Sequence, residues 1–161
     1  MPCLPAARVA IADIGSNSLK FLVAEPTGNA AAGGAWPWRT VADLVRTTEL
    51  VRDCAADGTL AAAAMSRTVQ ALVELTVATG IPAAALTAVG TAALRRAPNA
   101  AAFVARVRAA LGCPVRILEG AEEAAYAFRG ALTGRAALVA GAATAPVVYL
   151  CDVGGGSTEI V

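Results

Sequence analysis

Two short segments of the sequence combine an aspartate with glycines and hydroxyl side chains. The first, DIGSNS, covers residues 13–18, and the second, DVGGGSTE, covers residues 152–159. Glycine allows a ligand to approach the backbone closely, and successive N–H groups beside hydroxyl or amide side chains can surround a phosphate oxygen. The aspartate that opens the first segment can hold a metal ion or a water molecule. The residues of interest are Asp13, Gly15, Ser16, Asn17 and Ser18, and then Asp152, Gly154, Gly155, Gly156, Ser157, Thr158 and Glu159.

Each segment also has a purely structural interpretation. Residues 13–18 could form an ordinary hairpin turn, because Asp, Asn and Gly are common turn residues. That interpretation is weaker for the second segment, since each glycine costs roughly 0.5–1 kcal/mol of conformational freedom relative to alanine and a plain turn does not need three. GGGSTE lacks the glycine spacing of a dinucleotide-binding loop and the final lysine of a Walker loop. Two loops with the same order of residue types favour phosphate binding.

Two pairs of adjacent charged residues could add to this chemistry. Glu122 and Glu123 fall in the first turn of a predicted helix, where the helix dipole alone stabilises acidic residues. Adjacent helical residues point about 100° apart, so at most one of the two can face a cleft. Arg95 and Arg96 could bind a phosphate oxygen, although adjacent arginines usually form a solvated surface. From spacing alone, we interpret both pairs as structural.

Composition narrows the chemistry further. Thirteen basic and twelve acidic residues give a net charge of +1, which indicates neither nucleic-acid binding nor an anionic membrane surface. There is no histidine, so proton transfer near neutral pH falls mainly to carboxylates. The four cysteines lack metal-pair and disulfide-framework spacing, and we find neither a signal peptide nor a membrane-spanning segment. We therefore expect a cytoplasmic protein of about one domain with a thin core, because only 4% of its residues are aromatic.

The order of predicted elements indicates how these loops are positioned. Apolar runs at residues 9–12 and 19–24 predict two strands joined by DIGSNS, and residues 40–50 predict a third. Strands at 86–89, 115–118 and 147–151 then alternate with helices over 60–79, from Asn99 to 111, and from Gly120 to about 134, and residues 158–161 begin another strand. This order predicts an α/β fold with a mixed sheet of about five strands and flanking helices.

Four motifs in this order resemble the exopolyphosphatase and guanosine pentaphosphate phosphatase family. They are VAIADIGSNSLKFLVAE, AVGTAALRRAPNAAAFVARV, RILEGAEEAAYAFRGAL and YLCDVGGGSTEIV, and together they extend from residue 9 to residue 161. The resemblance implies a ribonuclease-H-like, actin-type ATPase lobe. It divides the chain into a first lobe at residues 1–134 and a connection with the start of a second lobe at residues 135–161.

The resemblance also implies a function and assigns roles to residues. The expected reaction is hydrolytic release of the terminal phosphate of inorganic polyphosphate, or of the 5′ γ-phosphate of guanosine pentaphosphate, with Mg²⁺. Glu123 would be the base that activates water, and Arg95 a phosphate contact. Asp13, Asp152 and Glu159 would hold or orient the metal and water, and the glycines and hydroxyl residues of both loops would bind phosphate. The roles of Glu123 and Arg95 come from the family and not from the spacing.

The sequence departs from the family pattern in two places. Residues 49–54 read ELVRDC where the family usually has a segment like RLGEGL, which replaces a basic residue by an acid and removes both glycines. The family's second domain is absent, so we expect an incomplete fragment, and the full-length protein could form a homodimer. The alternatives are a nonhydrolytic module that binds polyphosphate or a guanosine alarmone, and a relative of the sugar and acetate kinases.

Overall fold

A computed structural model of the chain describes residues 8–27, 38–133 and 149–160. Three strands come first: β1 (Val9–Ile14), β2 (Ser18–Pro26) and β3 (Trp38–Thr47). Helix α1 (Ala62–Thr79) and a 3-10 turn (Ala83–Ala85) lead to β4 (Leu86–Gly90), α2 (Ala92–Arg96), α3 (Ala100–Leu111), β5 (Val115–Ile117) and α4 (Gly120–Leu132). A hairpin of β6 (Cys151–Val153) and β7 (Thr158–Ile160) follows. None of the helices in these ranges is both long and apolar enough to cross a bilayer.

The main sheet has five strands in the order β3-β2-β1-β4-β5. Strand β2 pairs antiparallel with both β1 and β3, whereas β4 pairs parallel with both β1 and β5. The predicted α/β fold with a mixed five-stranded sheet is therefore confirmed. Its central strands β1 and β4 end at the same edge, and the β1–β2 turn leaves the sheet there.

The core lies on one face of this sheet. Alternate side chains of β1 and β2 point to it, and Phe21 and Phe103 are completely buried there together with Leu72 of α1 and Val107 of α3. Small residues on the central strands, such as Ala12, let the helices approach closely. The opposite face carries exposed apolar side chains, among them Ile11, Leu22 and Val45.

The region between β4 and α3 differs from the prediction because it contains an additional helix. Gly90 ends β4 and α2 begins two residues later, so Leu94 packs directly over Gly90. A Cβ atom at Gly90 would lie 3.2 Å from Cγ of Leu94, closer than side chains normally pack. The absence of a side chain at this glycine therefore lets α2 sit against the end of the strand, which fixes the position of Arg95 and Arg96.

The predicted start of α1 and the predicted cap of α3 are both corrected by one interaction. Asn99 occupies the N-cap position of α3 but makes no side-chain capping bond. Instead, the Leu60 N–H donates to its Oδ1 at 2.9 Å, and its Nδ2 donates to the Leu60 carbonyl at 3.0 Å. Because both backbone groups of Leu60 are held in this way, α1 begins at Ala62 and not at residue 60.

Strand boundaries also shift near the loops. Strand β3 begins earlier than predicted. It also ends earlier, because residues 48–51 turn away and form hydrogen bonds to the β1–β2 loop. The predicted strand at 147–151 is observed as Cys151–Val153, and residues 147 and 148 lie outside the described residues.

Candidate functional site

The β1–β2 loop is a tight turn closed by its own backbone. The Gly15 N–H donates to the Ser18 carbonyl at 3.0 Å, and a Cβ on Gly15 would lie 3.0 Å from that oxygen. Asp13 lies two residues before this turn and Lys20 two residues after it, and they face each other across the paired strands. Sequence and register therefore place a carboxylate and the only lysine of the chain side by side at the base of the loop.

The segment that departs from the family pattern supports this loop through its backbone. The N–H groups of Thr48 and Glu49 both donate to the Asn17 carbonyl, at 2.9 and 2.8 Å, and the Val51 N–H donates to the Ser16 carbonyl at 3.2 Å. Backbone bonds do not depend on side-chain type, so ELVRDC can hold the loop without the glycines. Glu49 adopts the left-handed region, with φ of 48°, and its carboxylate accepts a bond of 2.6 Å from Arg52.

The β6–β7 loop repeats the first turn. The Gly154 N–H donates to the Ser157 carbonyl at 2.9 Å, and Asp152 pairs with Glu159 in the register that joins Asp13 to Lys20. The two aspartates thus precede equivalent turns, as the matching sequences predict. The side chain of Glu159 lies outside the described part of the structure.

The second and third glycines of this loop are explained by the first loop, which lies against them. A Cβ on Gly155 would lie 2.9 Å from Cβ of Asn17, and a Cβ on Gly156 would lie 2.9 Å from Cβ of Ser16. A side chain at either position would push the loops apart. Residues of both loops line one cavity, and because the sequence predicts that both bind phosphate, we call residues 13–18 and 152–157 together the phosphate clamp.

This cavity has a volume of about 230 Å³ and contains most of the predicted site residues. Among the predicted residues whose side chains are described, Arg95 and Thr158 do not line it. The sequence analysis missed two polar lining residues, Lys20 and Thr91. The signals that could have found them are the single lysine two residues after Ser18 and the threonine directly after β4. The predicted residues that line it are Asp13, Gly15, Ser16, Asn17, Ser18, Glu123, Asp152, Gly154, Gly155, Gly156 and Ser157.

The adjacent glutamates at the start of α4 have different surroundings. The Glu122 side chain accepts from the backbone N–H of Glu119 in a capping box and forms an ion pair with Arg116. Glu123 lines the cavity, and its Oε2 accepts a bond of 2.6 Å from Nη1 of Arg95. With 20% and 16% exposed side chains, Arg95 and Glu123 are well shielded from water. The helical rotation expected from sequence therefore separates a helix-capping glutamate from a cavity glutamate.

Arg95 points toward the base of α4 and not into the cavity. Its Nη1 also donates to the Leu118 carbonyl at 2.7 Å, so the guanidinium joins α2, the end of β5 and Glu123. Its predicted role as a phosphate contact stays a prediction. Arg96 turns to the other side, where its Nη2 donates to the Gly156 carbonyl of the second loop.

Comparison with known proteins assigns the chain to a family. A family model described as the Ppx/GppA phosphatase family matches residues 30–161. The chain belongs to this family. The family match agrees with the resemblance carried by the motifs.

Solved structures support the same assignment for the fold. An exopolyphosphatase from Cytophaga hutchinsonii aligns with a TM-score of 0.77 and 21% identity, over 96% of this chain and 46% of that one. The Ppx/GppA family member from Aquifex aeolicus aligns with a TM-score of 0.71 and 29% identity, over 97% of this chain and 47% of that one. The chain thus spans less than half the length of the structures that it matches.

Most of the charged side chains that line the cavity are acidic. Asp13, Glu123 and Asp152 line it together with Lys20. Burial raises the pKa of Asp13 above its ordinary value of 3.8; Lys20 opposes this effect, and the carboxylates of Glu123 and Asp152 add to it. The Oδ1 atom of Asp13 is buried and has no hydrogen-bond partner. An anionic ligand would therefore enter this cavity more easily together with a cation.

The site fits Mg²⁺ that arrives with a phosphate ligand. Within the described residues, no group of three or more His, Cys, Asp or Glu side chains could hold a metal ion alone. Mg²⁺ commonly uses one or two carboxylates, several waters and substrate phosphate oxygens. Asp13 with its unpartnered oxygen and Asp152 match that requirement, and the part of Glu159 stays a prediction.

Proposed function

We propose that the chain carries one half of the active site of a phosphohydrolase that releases terminal phosphate from a phosphoanhydride chain. The observation that carries this proposal is the pair of equivalent loops that face each other across a cavity containing Glu123. Membership of the Ppx/GppA phosphatase family supports it. The proposed substrates are inorganic polyphosphate and the 5′ triphosphate end of guanosine pentaphosphate.

Each part of the site would do one step of this reaction. The glycines of the phosphate clamp let phosphate oxygens approach backbone N–H groups, and Lys20 would neutralise part of their charge. Mg²⁺, held by Asp13 and Asp152, would supply further charge neutralisation. Phosphoryl transfer depends mainly on positioning and charge stabilisation, which such a site can provide without a covalent intermediate.

Glu123 would activate the attacking water. Arg95 holds Oε2 of Glu123, so Oε1 would accept the proton while the water oxygen bonds to the terminal phosphorus. The bond from that phosphorus to the bridging oxygen breaks, which leaves inorganic phosphate and a chain shorter by one unit. Because this chain contains no histidine, a carboxylate is the suitable base that it can supply.

Calorimetry with tripolyphosphate, with and without Mg²⁺, tests binding. Phosphate release is then measured for this chain and for the chain extended by the C-terminal half of a family relative. We expect tripolyphosphate binding that depends on Mg²⁺. We also expect phosphate release, which Glu123→Gln should abolish. If the chain and its extended form both bind tripolyphosphate and neither releases phosphate, the nonhydrolytic module would be favoured. If neither form shows Mg²⁺-dependent binding, the proposal would be contradicted.

A further inference from the structure

Helix α2 presents two adjacent arginines to two different parts of the site. Arg95 reaches Glu123, whereas Arg96 points to the second loop, as the rotation of about 100° per helical residue allows. Arg96 is itself fixed, because its Nε donates to the Ala92 carbonyl at 3.2 Å while its Nη2 donates to the Gly156 carbonyl. One guanidinium therefore joins α2 to a loop 60 residues away in sequence.

The remaining contacts between the two loops are weak by nature. Gly155 and Gly156 pack against Asn17 and Ser16, and such small residues bury little apolar surface. Among the described residues, a single side-chain hydrogen bond connects residues 152–158 with the first lobe, and Arg96 donates it to the Gly156 carbonyl.

Electrostatics in the cavity oppose closure of the loops. The second loop brings Asp152 into the cavity that Asp13 and Glu123 also line, and like charges on these carboxylates repel one another. The positively charged guanidinium of Arg96 lies beside Gly156 and attracts the carbonyl oxygen of that residue, which draws the second loop inward.

We infer that Arg96 is a positioning residue that holds the second phosphate loop against the first. In a trans peptide the C=O and N–H groups point to opposite sides, so binding of the Gly156 carbonyl also fixes the direction of the Ser157 N–H. A loop fixed in this way loses less conformational freedom when phosphate binds. The effect on ligand affinity rests on the proposed function, whereas the effect on loop position does not.

Nuclear Overhauser contacts between the Asn17 side chain and Gly155 measure the loop position directly, since these residues touch in the closed clamp. We expect the contact in the unmodified chain and its loss in Arg96→Ala, with an unchanged urea midpoint. Arg106→Ala is the control, because Arg106 bonds Ala62 and Ser66 away from the clamp. An equally strong contact in Arg96→Ala would overturn the inference.

A second variant covers the case in which Arg96→Ala does not fold. In Arg96→Lys, one ammonium replaces a guanidinium that serves both Ala92 and Gly156, so the same contact should weaken. An unchanged contact in this variant would equally overturn the inference.

Affinity gives an independent measurement. The dissociation constant of Mg²⁺-tripolyphosphate should rise about three- to tenfold in Arg96→Ala, because this variant loses a charged hydrogen bond that is partly exposed. It should stay unchanged in Arg106→Ala. If even the unmodified chain fails to bind tripolyphosphate, the proposed function fails, and the loop contact still decides the role of Arg96.

Discussion

The two adjacent glutamates of α4 illustrate how a single residue step changes function. Glu122 completes the capping box and pairs with exposed Arg116, whereas Glu123 faces the cavity and pairs with shielded Arg95. Helical geometry predicts from sequence that only one of them can face a cleft. It does not predict which one, because this depends on the direction from which the sheet and α2 approach the helix.

Glu123→Gln should therefore abolish phosphate release by the extended chain while binding changes little. General base catalysis is commonly worth about 10²–10⁴-fold in rate, and glutamine keeps the size of the side chain. The turnover number and the dissociation constant of tripolyphosphate are measured together. Glu122→Gln is the matched control and should keep turnover within a few-fold. Equal loss of turnover in both variants would contradict the assignment of the base to Glu123.

Asp13 should make the folded chain less stable as the pH rises. Its pKa is raised by burial above the ordinary 3.8, so the folded state binds the proton more tightly than the unfolded state does. The carboxyl is neutral in both states below pH 3.8, and its destabilising effect develops between that value and the raised folded pKa. Above the folded pKa the effect is complete.

Asp13→Asn should accordingly raise the melting temperature at neutral pH, and the gain should shrink as the pH falls toward 3.8. Thermal melts of the metal-free chain over this range measure the effect. Asp43→Asn, which changes an exposed aspartate on β3, is the control and should give no such trend. A gain that does not depend on pH would show that charge is not its cause.

At the scale of elements, the sequence predicts the strands and the loops better than the contacts between them. Alternating apolar residues and the two glycine loops are local signals, so the sheet and both turns could be predicted. Helix α2 is only five residues long, too short for a helical period to be recognised. The bridge from Asn99 to Leu60 joins residues 39 apart, and nothing local indicates it.

Asn99→Asp distinguishes this bridge from a helix cap. Asparagine and aspartate are about equally good caps, so a capping role predicts little change in stability. Aspartate lacks the Nδ2 donor to the Leu60 carbonyl, and we expect a loss of about 1–3 kcal/mol in the free energy of unfolding. Chemical denaturation gives this value. A change below about 0.5 kcal/mol would support a simple cap instead.

Gly156→Ala should separate the two loops of the phosphate clamp. The added Cβ would lie 2.9 Å from Cβ of Ser16 and 3.4 Å from Nη2 of Arg96, so the two loops would have to move apart. Calorimetry should show tripolyphosphate binding weakened at least tenfold, about 1.4 kcal/mol. Gly130→Ala is the control on α4, where nothing lies within 4 Å of the added atom. That change should leave binding intact and stabilise the helix by about 0.5–1 kcal/mol.

At the scale of the whole molecule, the phosphate clamp is made of two parts distant in sequence. Residues 13–18 belong to the five-stranded sheet, and residues 152–157 belong to a separate two-stranded hairpin. Their similar sequences predict equivalent turns. That they enclose one cavity follows from the structure, since the sequence contains no local signal for the contact between Gly155 and Asn17.

The central claim is that both loops bind the same phosphate ligand, and amide resonances measured during a titration test it most directly. Mg²⁺-tripolyphosphate is added to the isotope-labelled chain, and the resonances of residues 15–18 and 154–157 are followed together. The two sets should shift with one common dissociation constant. Shifts confined to one loop, or two different dissociation constants, would contradict a single phosphate clamp.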